Sequence, residues 1–183
     1  MLNSKLKNFT SWVEKEASKI IGEQQEDFYE FYADDYNRLS KIFPNILRSS
    51  LFIMYYALLE NELVNLCKNL YKHYNYSIKL TDFQGKGIFR VQTYLKKVAK
   101  IDFPDQTSSW DDIVSYNHIR NFIIHNGGRL DNSNRGKEVE SFITDRPSMN
   151  LDHLKNIQFS KDFCPEVIGT LKSFFGDLFK TLP

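Results

Sequence analysis

The segment Asn117-His118-Ile119-Arg120-Asn121-Phe122-Ile123-Ile124-His125 sets an arginine, two amides and two histidines at intervals that a helix turns into a surface. At about 100° per residue, Asn121 and His125 stand one above the other, and His118 lies two turns below His125. Ile113, Tyr116, Ile119, Ile123 and Ile124 occupy most of the remaining arc and are expected to face a core. Arg120 falls about 140° round the axis from His125, so one helix must use the length of the arginine to bring both groups together. A two-fold pair of such helices would gather two arginines and two histidines in one cleft, because an isologous contact duplicates every group.

The chemistry that suits this set is cleavage of RNA by its own 2'-hydroxyl. That reaction needs a proton removed, a proton delivered to the leaving oxygen, and negative charge on the phosphorus oxygens stabilised. An imidazole titrates near neutrality and serves as base or acid, the role open to His125. The guanidinium of Arg120 offers a bidentate fork to phosphate oxygens, and Asn121 can orient hydroxyl or phosphate. Neither a metal nor another cofactor is called for.

Other chemistries find less support. Cys67 and Cys164 are the only cysteines; neither lies in a Cys-x-x-Cys pair or beside clustered histidines, so both read as structural thiols. Gly85-Lys86-Gly87 lacks the rest of a Walker pattern and a preceding strand, which argues against a nucleoside triphosphatase. Arg146 and His153 repeat the Arg-to-His spacing, but Pro147 between them is incompatible with a helical site. With 24 Lys and Arg against 23 Asp and Glu, the formal net charge of +1 gives no global attraction to a polyanion, so nucleic-acid contacts must be local. The charged N-terminus does not resemble a secretory signal, and Leu51 to Leu59 is about half the length of a membrane span. A reducing cytoplasm and no membrane are the expectation.

The elements that must position these residues read as helices of one domain spanning 1–183. Apolar residues from Leu6 to Leu39 recur at three- and four-residue steps, giving one long helix or two with a break near Gly22. After Pro44, Asn45 to about Tyr74 carries too wide an apolar arc for a surface helix and is expected to be the central, most buried one. A loop to Gly87 precedes a short helix marked by Ile88, Val91, Tyr94, Leu95 and Val98. Thr107, Ser108 or Ser109 can cap the helix bearing Arg120, and Gly127-Gly128 stops it. Residues 129 to 137 read as a polar loop, and 139–159 as a small β-hairpin or irregular turns, with Ser141-Phe142-Ile143-Thr144 a candidate strand. Ser160 or Asp162 begins a last helix with a heavily aromatic face. The sum is an all-α, up-and-down bundle of about five helices.

Ile-Arg-Asn-Phe-Ile-Ile-His-Asn-Gly-Gly, 119–128, resembles the R-N-x-x-x-H motif of HEPN-domain ribonucleases, and the order of elements resembles theirs over nearly the whole chain. The resemblance implies a compact helical homodimer in which Arg120 and His125 are catalytic and Asn121 assists. An acidic residue on the second helix often lies nearby in that family; Glu60 is the expected match and Glu62, turned about 200° away, the reserve. It also implies a role in bacterial defence, toxin-antitoxin or stress response, with a cognate antitoxin or regulatory protein as a partner. His118 is a supporting candidate through the stripe it shares with His125. Lys96, Lys97, Lys100, Arg129 and Arg135 are candidates to guide an RNA backbone, against the plainer reading of solvated charge. The rival to an enzyme is a non-catalytic HEPN-like dimerisation module that binds nucleotide, RNA or a partner protein; weaker still is a helical adaptor with no ligand.

Overall fold

A computed structural model describes residues 2–182. The chain is mostly helical with a small two-stranded antiparallel sheet, as an all-α bundle with a hairpin requires. In order come α1 (Leu2–Ala17), α2 (Glu23–Asn37), α3 (Phe43–His73), α4 (Gly87–Lys97), α5 (Ser108–Asn126), α6 (Asn134–Thr144), β1 (Met149–Leu151), β2 (Ile157–Phe159) and α7 (Phe163–Lys180). Its contacts divide into two compact units, Met1–Ser50 and Leu51–Pro183.

In the first unit the break expected near Gly22 is present. Gly22 has φ +75°, a left-handed conformation that glycine adopts without a Cβ penalty, and α1 and α2 are separate helices. Phe9 and Trp12 of α1 pack against Phe28 and Tyr32 of α2. Pro44 does not punctuate as expected. A wider, π-type turn at Arg38–Ile42 carries the chain into α3, and Pro44 sits in the first turn of that helix, where a missing N–H is tolerated.

α3 is less buried than its apolar content predicts. Phe52, Tyr56, Leu59, Leu63, Cys67 and Leu70 form one buried stripe at three- and four-residue steps, while Ile46, Leu47, Met54 and Leu58 stay exposed. The wide apolar arc therefore combines a core face with a solvent face. The helical run Glu23–His73 also contains a stretch long and apolar enough to cross a membrane by length and composition, beyond the short core of Leu51 to Leu59 considered above.

The second unit is organised around that stripe. Phe52 meets the rings of Tyr116 on α5, Phe159 on β2 and Phe163 on α7, at centroid distances of 5.7, 6.0 and 5.3 Å. A second aromatic group joins Phe103 and Trp110 to Phe174. Cys67 is fully buried, and burial pushes its thiol pKa up to about 12, consistent with a structural thiol.

Between α5 and α7 the structure corrects the sequence reading. Residues 134 to 144 form α6, with the Ser133 hydroxyl accepting from the Gly136 amide as its cap. Val139, Phe142 and Ile143 are spaced for a helix face, so Ser141 to Thr144 is not a strand, and part of the expected polar loop is helical. The hairpin lies a few residues later, pairing Met149 with Phe159 and Leu151 with Ile157. Arg146 ties this region down through ion pairs to Asp112 of α5 and Glu166 of α7 and by lying over the Phe142 ring.

Truncating Phe52 empties the meeting point of α3, α5, β2 and α7. Phe52→Ala is expected to lower unfolding stability by about 3–5 kcal/mol, read as a lower urea midpoint with an unchanged slope.

Candidate functional site

α5 is placed by its two ends. The Thr107 hydroxyl accepts from the Trp110 amide at the start, and Gly127, with φ +62°, closes the helix with its amide on the Phe122 carbonyl. Ile113, Tyr116, Ile119 and Phe122 face the core. This leaves Arg120 at one edge of the buried face, partly covered, and His125 exposed near the C-terminal end.

Arg120 Nη1 donates to Asn121 Oδ1 at 3.0 Å, drawing the guanidinium round the helix towards the Asn121 side. Its Nη2 lies 3.9 Å from Glu60 Oε2 on α3, so Glu60 is the acid that faces Arg120. Because guanidinium only donates, this contact fixes the orientation of the Asn121 amide: the oxygen faces Arg120, and the two N–H donors remain for another acceptor. Glu62 points elsewhere. It lines an apolar groove of about 610 Å³ between α3 and α7, with Tyr55, Leu58, Ile168 and Phe179.

Glu60 also touches the beginning of α4. A Cβ placed on Gly87 would stand 2.8 Å from Glu60 Oε1, and Gly87 has φ +56°. Glycine is therefore favoured there by backbone conformation, while the Glu60 carboxylate, at the end of a flexible side chain, would have to shift to admit a Cβ. One turn before Glu60 on α3, the Tyr56 side chain is 1% exposed, and its hydroxyl has no hydrogen-bond partner among the described residues. Burial raises the Tyr56 pKa, the Glu60 carboxylate raises it further, and Arg120 opposes both. The structure thus brings together Glu60, Arg120, Asn121, Tyr56 and Gly87.

The other candidates lie apart from this cluster. His118 lines a groove between α5 and α6 with Asp111, Ser115 and Glu138. Its pKa is lowered by burial and by Arg135, against the pull of Glu138. Arg135 is thus a neighbour of His118 at the start of α6. Lys96 is paired with Asp105 at 2.6 Å, holding that carboxyl below the usual range. Lys96, Lys97 and Lys100 sit at or beyond the far end of α4, about 14 Å along the helix from Gly87. Arg129 lines a groove of about 570 Å³ just past α5, with Asp131, His153 and Lys155.

Tyr56 and Gly87 are what the sequence reading missed. Tyr56 stands four residues before Glu60 on α3, a helical spacing that was a usable signal. Gly87 was set aside with the phosphate-loop comparison. Compared with family models, curated proteins and solved structures, the chain matches none.

Two outcomes check this geometry. Gly87→Ala is expected to destabilise by about 1–2 kcal/mol through its left-handed backbone; the further loss from steric contact should disappear when Glu60 is also alanine, in a double-mutant cycle of urea midpoints. The second concerns pH. Because the folded pKa of His118 lies below its ordinary 6.5, the unfolded chain binds the proton more readily, so this group's contribution falls as pH drops below about 6.5. NMR titration should give a midpoint under 6.5 that rises in Arg135→Ala and falls further in Glu138→Gln.

Proposed function

We propose that this chain is a HEPN-type, metal-independent endoribonuclease that cleaves RNA by attack of the 2'-hydroxyl and works as a homodimer in the cytoplasm. The observation that carries the reading is the Arg120–Asn121 contact beside Glu60 on a capped helix that leaves His125 open to solvent. A guanidinium so held is presented as a fork to a phosphate, and its position is set before the substrate arrives. The Asn121 amide has donors left for a phosphate oxygen, and His125 stands one turn further along the same stripe to move the proton.

In this reading Arg120 stabilises charge on the phosphorus oxygens, His125 is base or acid, and Asn121 orients the phosphodiester. Glu60 holds Arg120 in the free protein and is not itself a catalytic group. Two protomers supply two such sets, so each group has a counterpart across the dimer axis. Toxic cleavage of cellular RNA would require control, for which a cognate antitoxin or regulatory protein is the fitting partner. A non-catalytic HEPN-like module has no physical need for Arg120, Asn121 and His125 together.

The test is incubation of the purified chain, Arg120→Ala and His125→Ala with total RNA in EDTA. The unaltered chain is expected to give fragments ending in 2',3'-cyclic phosphate, and each variant to cut at least about 100-fold more slowly. Cutting that persists in both variants rejects these residues as catalytic.

A further inference from the structure

The start of α4 lacks what a helix start usually has. Lys86, at its cap position, makes no side-chain cap bond, and no acidic residue lies in the first turn. The first amides and the positive end of the helix dipole are therefore uncompensated by α4 itself. Two left-handed glycines, Gly85 at φ +101° and Gly87 at φ +56°, bend the loop around Lys86 and keep Cβ atoms away from it. Arg90 follows one turn in; its Cβ lies 3.8 Å from the place a Gly85 Cβ would take, and its buried Nε has no hydrogen-bond partner among the described residues.

At this helix start the Glu60 carboxylate stands against Gly87 and 3.9 Å from Arg120. Lys86 belongs to the loop and Arg90 to the first turn of α4, and Arg120 stands on the edge of α5 that meets Glu60. Nearby, Tyr56 is 1% exposed with an unsatisfied hydroxyl, at the position on α3 one turn from Glu60. A buried donor without an acceptor is costly, and a Glu60 carboxylate that left the start of α4 could accept from it. The occupant is thus a carboxylate in a place built for an anion, with an alternative partner waiting for it.

We infer that the Gly85–Gly87 loop, the first turn of α4 and Arg120 form a subsite for a phosphodiester of the RNA backbone, which Glu60 fills in the free protein. The backbone phosphate displaces the carboxylate, takes the Arg120 fork and the open amides of α4, and gains Lys86 as a rim charge. Glu60 turns to the Tyr56 hydroxyl. This deepens the ribonuclease reading and rests on it for the identity of the ligand, yet binding can be measured without cleavage.

The probe is a fluorescent 2'-O-methyl oligoribonucleotide, which lacks the attacking hydroxyl, titrated with the 183-residue chain, with inorganic phosphate added as competitor in a second series. Glu60→Gln, which removes the resident anion, is expected to bind about threefold or more tighter. Lys86→Ala, an exposed substitution that leaves the core intact, should bind several-fold weaker and lower the slope of log affinity against log salt by about one. In the Tyr56→Phe background the gain from Glu60→Gln should grow, because the chain with Glu60 intact binds more weakly once the displaced carboxylate has lost its donor, while the affinity of the Glu60→Gln form should be unchanged. Competition by millimolar inorganic phosphate as strong as that by unlabelled oligonucleotide would overturn the assignment to an RNA backbone. Affinity unchanged in either Glu60→Gln or Lys86→Ala would overturn the subsite. Tight binding with these signatures but no cleavage of natural RNA would leave the subsite standing and reject the nuclease.

Discussion

The contact on which the site depends is that between Arg120 and its two neighbours, the Asn121 amide oxygen and the Glu60 carboxylate. Helix geometry alone keeps Arg120 and His125 far apart in angle, and nothing in the backbone of α5 changes that. One guanidinium nitrogen donates to the Asn121 amide oxygen and the other lies 3.9 Å from the Glu60 carboxylate. Such a pair, partly exposed, contributes little to stability. Its consequence is positional: it decides where five N–H donors point and which end of the Asn121 amide remains open.

That arrangement depends on three helices meeting at one corner. α3 supplies Glu60 on the flank of its buried stripe, α5 supplies Arg120 at the edge of its core face, and α4 begins at Gly87 where the carboxylate arrives. The aromatic packing around Phe52 sets the spacing of α3 and α5, since the ring of Tyr116 leans on Phe52 one turn below Arg120. The corner therefore inherits its rigidity from a core several residues away, while the charged groups themselves remain reachable.

Much of this was legible in the residues. The capping threonine and terminal glycines bounded α5 correctly because each acts through local hydrogen bonds and backbone conformation, which a sequence displays directly. The family resemblance pointed to Glu60 as the acid beside Arg120, and the two-residue offset turned Glu62 to the other side of the helix. α6 was misread because Ser141-Phe142-Ile143-Thr144 is short and rich in β-favouring side chains, and only the longer window from Val139 shows the helical step. The burial of α3 was overstated for a related reason: an apolar residue announces that it tolerates a core, and Ile46, Leu47, Met54 and Leu58 are nonetheless exposed. His118 shares a helical stripe with His125, but the arrival of α6 covers it. Long-range packing of this kind leaves no mark in the spacing of α5.

The corner also concentrates features that stability alone would remove. A left-handed glycine opens α4, a tyrosine hydroxyl is buried without an acceptor, and the first turn of α4 has no acid of its own. Each is a small loss: Phe in place of Tyr56 would spare the desolvated hydroxyl, and an Asp or Ser before Gly87 would cap the helix. Elsewhere in the same unit the rules are kept, with Ser133 capping α6 and Thr107 capping α5. Local departures that coincide within one cluster of charged groups, in a fold otherwise consistent with its sequence, are the pattern expected where a surface is shaped for a ligand rather than for folding.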